Sequence, residues 1–197
     1  MNNNEMVNIT LELNARLQPL HRGEIFEDMF EEMFERFGIG EITGAGTYQM
    51  ATGEVEKCDI SMAVFKNKLN PFVSLLKRID IIPKGSKLII NGEETPIGTA
   101  QGMAIYLNGT DLDEEVYKNN DINQLIQQLD NALDNIAQRL SHWEGPAETA
   151  LYYYGKDYIK MKKAILPVLK KHPLDQKSRS IKITEYKRNG YCQRKSN

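Results

Sequence analysis

From Val7 to Leu13 apolar and polar residues alternate, with Val7, Ile9, Leu11 and Leu13 on one face and Asn8, Thr10 and Glu12 on the other. A period of two marks a half-buried strand, because successive side chains point to opposite faces. The polar stretch Asn14 to Gly23, with Pro19 and Gly23, breaks the pattern. From Glu24 to Phe37 the period changes to that of a helix. Phe26, Met29, Phe30, Met33, Phe34 and Phe37 share one side, while Glu27, Asp28, Glu31, Glu32 and Glu35 cover the other. Gly38 and Gly40 end it.

Strands are then expected over Glu41 to Met50 and Glu54 to Phe65, with Ala51-Thr52-Gly53 as a hairpin turn. Pro71 suits the first turn of a helix reaching about Ile79, with Phe72, Leu75, Leu76 and Ile79 inward. Pro83-Lys84-Gly85 turns the chain into a strand over Lys87 to Ile90. The second half reads as a strand over Met103 to Leu107 and a loop through Asn108, Gly109 and Asp111. A helix capped by Asn120-Asp121 follows, with Ile122, Leu125, Ile126, Leu129, Leu133, Ile136 and Leu140 along one face. His142 to Pro146 is expected as a turn and Thr149 to Tyr154 as a strand. A basic helix over Tyr158 to Lys171 is interrupted by Pro167, and Ser180 to Thr184 closes the sheet.

Two segments follow one plan. Without a gap, residues 55–90 overlie residues 148–183, placing Phe65 opposite Tyr158, Phe72 opposite Ile165, and Leu88 and Ile90 opposite Ile181 and Ile183. The expected architecture is therefore α+β, with two tandem ferredoxin-like βαββαβ halves. The first spans 1–92 and the second 103–184, followed by a flexible basic tail over 185–197. The junction, Asn91 to Gly102, holds Gly92, Pro96, Gly98 and Gly102.

Composition narrows the function classes. The 197 residues are 41% hydrophobic and 26% charged, well inside the globular range. No run approaches the ~18 apolar residues of a membrane span, and the amino terminus shows no secretory signal. Cys58 and Cys192 form no disulfide framework and no metal-ligand spacing, so the cytoplasm is the expected location. The net charge of −2 hides an asymmetry: residues 1–59 carry four Lys and Arg against twelve Asp and Glu, and residues 156–197 carry thirteen against three. Such polarity steers charged partners, although charged helix faces are often simply solvated.

Two clusters hold candidate chemistry. His21 and Arg22, near Glu24 and Glu27, have the residue types of a base with an orienting carboxylate; the same acids also complement a helix dipole. Ser141 to Thr149 gathers His142, Trp143, Glu144 and Glu148 ahead of Tyr152-Tyr153-Tyr154. Tyr152 and Tyr154 share one strand face, and Trp and Tyr commonly anchor binding surfaces. An exposed aromatic sheet face would also stack single-stranded bases, but the ribonucleoprotein sequence pattern is absent. No HExxH, G-x-S-x-G or phosphate-loop motif occurs, and no metal or cofactor is expected.

At NARLQPLHRGEIFED, YLNG and HWEGPAETALYYYG the chain resembles a family of small bacterial cytoplasmic α+β proteins with no established activity. The resemblance reaches to about residue 184 and transfers no catalytic residue. By analogy of type, bacterial proteins of this kind often serve as immunity proteins against toxins. The resulting expectation is a non-enzymatic, immunity-like or adaptor module that binds a protein partner. Its contacts would be Glu27, Asp28, Glu31, Glu32 and Glu35, with Trp143, Tyr152 and Tyr154. The alternative is an enzyme or small-ligand binder with His21, Arg22, His142 and Glu144 converging between the halves.

Overall fold

The computed structural model describes residues 5–184 as an α+β chain with two antiparallel sheets, one of five strands and one of four. The expected tail over 185–197, with Cys192, lies outside the described residues. In the first sheet β1 (Met6–Leu13) is central, flanked by β3 (Val55–Phe65) and β4 (Ser86–Ile90), with β2 (Gly40–Gln49) beyond β3 and β5 (Glu93–Ile97) beyond β4. In the second, β6 (Gln101–Asn108) lies between β8 (Glu148–Gly155) and β9 (Arg179–Ile183), and β7 (Ala137–Glu144) pairs with β8.

One face of the first sheet carries Ile9, Leu11, Leu13, Ile60, Met62 and Leu88, all buried. Against it pack two helices, α2 (Asp28–Phe37) and α3 (Leu69–Leu76). Their Phe30, Phe34 and Phe72 rings meet at centroid distances of 6.1 and 5.2 Å, within the range of favourable edge-to-face contact. The opposite face stays polar: Thr10 meets Ser61, Lys57 pairs with Glu12 at 2.5 Å, and Lys87 pairs with Glu94 at 2.6 Å. The second sheet is buried on both sides. Met103, Ile105, Leu107, Leu151 and Tyr153 face α5 (Ile122–Leu133) and α6 (Tyr158–Leu169). Ala104, Tyr106, Ala150, Tyr152 and Tyr154 join the core of the first half instead. They cover the segment after β1, where Ala15 and Leu17 are fully buried.

Four elements depart from the expectations. The stretch from Asn14 to Gly23 is helical at its end: α1 (Pro19–Arg22) runs through a π turn at Gly23–Glu27 into α2. The expected junction contains β5, because Asn91 and Gly92 take φ of 51° and 82° and close a two-residue hairpin pairing Ile90 with Glu93. Asn-Gly is the dipeptide that such a turn favours, since both positions need the left-handed region. The first sheet thus continues to Ile97. The helix expected to reach Leu140 stops at Leu133, where Asn135 adopts φ 60° and turns the chain into β7. Leu140 sits seven residues after Leu133 and so imitates a helical repeat, but it belongs to a strand whose alternation is broken by a bulge between Arg139 and Ser141. A short helix, α4 (Glu114–Asn119), follows the Asn108 loop.

Phe72 touches both rings of α2 and is 1% exposed. Phe72→Ala is expected to lower stability by about 3–5 kcal/mol in urea unfolding, the range for an aromatic removed from a core that cannot collapse. A loss below about 1 kcal/mol would mean that the α2–α3 layer does not hold the sheet.

Candidate functional site

The hairpin between β2 and β3 is closed by Gly53 at φ 83°, with Met50 and Glu54 bonded backbone to backbone at 2.8 Å. A left-handed residue at this point costs little only for glycine. The turn delivers Glu54 into the boundary between the halves, where its side chain is 8% exposed. Its Oε1 accepts from the hydroxyls of Tyr106 at 2.6 Å and Tyr152 at 2.7 Å, and from Arg16 Nη1. Arg16 Nη1 also donates to the Tyr106 hydroxyl at 2.5 Å, and the Arg16 backbone N–H donates to the Tyr154 hydroxyl at 2.9 Å. Arg16 and Glu54 come from the first half, and the three tyrosines from β6 and β8.

Burial pushes the Tyr106 hydroxyl up to about 12, and its bond to Glu54 pushes the same way; Tyr152 and Tyr154 are raised chiefly by burial. For Arg16 burial works downward, but the Tyr106, Glu54 and Tyr152 interactions outweigh it and hold the guanidinium charged. The tyrosines therefore stay protonated, and Tyr106 and Tyr152 act as donors to Glu54. A buried carboxylate becomes tolerable only when paired and hydrogen-bonded in this way. The other face of β8 repeats the chemistry: the Tyr153 hydroxyl donates to Asp130 at 2.7 Å, and Arg139 pairs with Asp130 at 3.0 Å.

A second cluster crosses the same boundary. His21, on α1, has Nδ1 2.9 Å from the buried Ser141 hydroxyl, which also accepts the Gln18 N–H at 3.2 Å. The rings of His21 and His142 lie 5.1 Å apart, and His142 Nε2 is 3.9 Å from Glu144. Arg22 does not join them. It is buried, pairs with Glu27 at 2.8 Å and donates to Gly46 and Thr47 of β2. Ser141 Oγ, at hydrogen-bond distance from His21, has the residue types of a nucleophile and base, yet Ser141 is only 2% exposed. Among the described residues no group of three or more His, Cys, Asp or Glu is placed to hold a metal ion, and no helix is long and apolar enough to cross a membrane.

The remaining candidates divide by exposure. Asp28, Glu31, Glu32 and Glu35 are exposed on α2, whereas Glu27 is half-buried against Arg22. Trp143 is half-buried and packs on the core beside Gly53. Tyr152 and Tyr154 are 0% and 3% exposed, so the aromatic face expected to meet a partner or a nucleic acid is closed by the first half. Sequence reasoning missed Arg16 and Glu54, and Tyr106 as their partner. The available signal was Tyr152-Tyr153-Tyr154 itself: tyrosines on both faces of a buried strand need hydroxyl partners from two sides.

No family model and no curated protein matches the chain. A solved structure described as an unknown protein from Galdieria sulphuraria is 10% identical with a TM-score of 0.27, covering 90% of this chain and 98% of that one. A likeness that loose carries no argument about this protein.

Two outcomes follow from the boundary chemistry. Glu54→Ala strands Arg16 without its carboxylate and is expected to cost about 3–5 kcal/mol in urea unfolding, with Tyr152→Phe costing about 1.5–3 kcal/mol; near-neutral values for both would make the cluster incidental. His21 is held below its ordinary value of 6.5 chiefly by burial, with His142 and Arg139 adding repulsion and Glu24 opposing. As pH falls the unfolded chain takes up that proton first. The His21 contribution is thus fully present above about pH 6.5 and is lost as pH drops through the lower folded value. Melting temperatures between about pH 8 and pH 5 test this: His21→Gln should flatten the acid-side loss, and an unaltered slope would assign it to other groups.

Proposed function

We propose that this protein is a non-enzymatic protein-binding module, of adaptor or immunity type, that engages a basic partner through the outer face of α2. One observation carries the reading. Asp28, Glu31, Glu32 and Glu35 are exposed, enter no ion pair among the described residues, and lie opposite the buried Phe30 and Phe34. Like charges at neighbouring helical positions repel, and packing of the opposite face does not require them. A basic surface relieves that repulsion, and complementary potentials speed encounter while rejecting wrong partners.

The same reading takes the architecture as two ferredoxin-like βαββαβ halves in tandem within a bacterial cytoplasmic protein. It is supported by strand order: each half has its first strand in the centre, its third and fourth beside it, and its second beyond the third. It is also supported by the gapless offset, which carries Ser86–Ile90 onto Arg179–Ile183, the bounds of β4 and β9. In this arrangement α2 is the crossover after the first strand of the first half, and its acidic face lies opposite the side that packs on the first sheet.

The test uses tagged wild type and a Glu31→Lys/Glu35→Lys variant as bait, followed by surface plasmon resonance with the purified captured protein across a salt series. The expected result is one dominant partner whose association with the variant is about tenfold slower and less salt-dependent. Equal association rates at low salt would remove α2 from the interface.

A further inference from the structure

A cleft of about 780 Å³ opens where the halves meet, with neither His21 nor His142 among its lining residues. Asn14, Arg16 and Lys84 reach it from the first half, and Gln101 and Lys182 from the second. Three of these are cations, and Glu56 is the carboxylate among the lining residues. Met50, Pro83, Ile181 and Ile183 supply apolar wall. We propose that this cleft binds a small organic anion, its charged group held by Arg16, Lys84 and Lys182 and its apolar body against Met50 and Ile183.

Size and position agree with this assignment. Small-molecule sites are commonly clefts of about 300–1,000 Å³ at boundaries between structural units, mostly apolar with a few placed polar groups. With Arg16 matched by Glu54, Lys84 and Lys182 still outnumber Glu56 by one, so the lining favours an anion. Lys84 and Lys182 enter no ion pair among the described residues; one lines the cleft from each half, and Lys182 Nζ, which lies 5.6 Å over the Tyr158 ring at the edge strand, must leave that weak contact to reach an anion. Arg16 differs from an ordinary surface arginine. Nη1 is committed to Glu54 and Tyr106, and this fixes the guanidinium plane. The fork is rigid and planar, so fixing one nitrogen also orients the other donors, an arrangement suited to a carboxylate or phosphate. The walls are tied together as well: Asn14 Nδ2 donates to the Lys84 carbonyl at 2.8 Å and to the Thr184 carbonyl at 3.5 Å. A cleft held open by such bonds loses less ordering entropy on binding than one that must form around its ligand. The site is separate from the acidic face of α2 and does not depend on a protein partner.

The experiment titrates the full chain with anilinonaphthalene sulfonate, an apolar fluorescent anion, at low salt, and locates it by amide NMR. The expected result is saturable binding at one site per chain, with shifts at Gln101, Gly102 and Thr184. In Lys84→Ala/Lys182→Ala the affinity should fall about tenfold at unchanged melting temperature, while Lys84→Arg/Lys182→Arg keeps it. Three results would overturn the proposal: no saturable binding, equal affinity in the alanine variant, or shifts confined to the apolar groove at Phe37, Phe72 and Leu75.

Discussion

The central polar cluster at the boundary of the two halves is arranged around one buried carboxylate. Glu54 loses most of its hydration there, a change that costs several kcal/mol unless the charge is matched. The match comes from both sides: Arg16 supplies the opposite charge, and Tyr106 and Tyr152 supply neutral donors from the second sheet. Neither half can satisfy the group alone. The constraint explains why Gly53 must turn the hairpin tightly and why β6 and β8 present tyrosines toward the first half. It also explains why the second sheet carries side chains suited to burial on both faces, while the first keeps a polar one.

Much of the chain's local structure was legible because its determinants are local. The alternation from Val7 to Leu13, the phenylalanine stripe of α2, the Ala51-Thr52-Gly53 turn and the basic helix from Tyr158 each follow from spacing alone. The misreadings also have local causes. Leu140 falls at a heptad distance from Leu133 and extends a helix on paper, where Asn135 in fact reverses the chain. Asn91-Gly92 sits in a stretch with the composition of a junction, although it is a hairpin signal in its own right. The boundary cluster was illegible for a different reason. Arg16, Glu54, Tyr106 and Tyr152 are separated by dozens of residues, and nothing near Glu54 distinguishes a buried carboxylate from the many solvated ones. Alternation placed Tyr152 and Tyr154 on one face, but which surface covers that face is a tertiary fact.

The two outer surfaces left after folding differ in character. The acidic face of α2 projects from the first half as uncompensated charge, suited to long-range attraction. The cleft beside Arg16 is concave, cationic and partly apolar, suited to enclosing a small anion. The contact of His21 with His142 closes the boundary at a further point, and acid weakens it. Coupling through these contacts would make the halves move as one. A partner on α2 and a ligand in the cleft would then act on a shared rigid body.

Native-state hydrogen exchange addresses that unity most directly. If the Glu54 cluster couples the halves, the slowest-exchanging amides of β3 and β8 open with the same free energy in the wild type. In Glu54→Gln they should separate, with one sheet opening before the other. Different opening free energies in the wild type, or a common value that survives the substitution, would contradict the account.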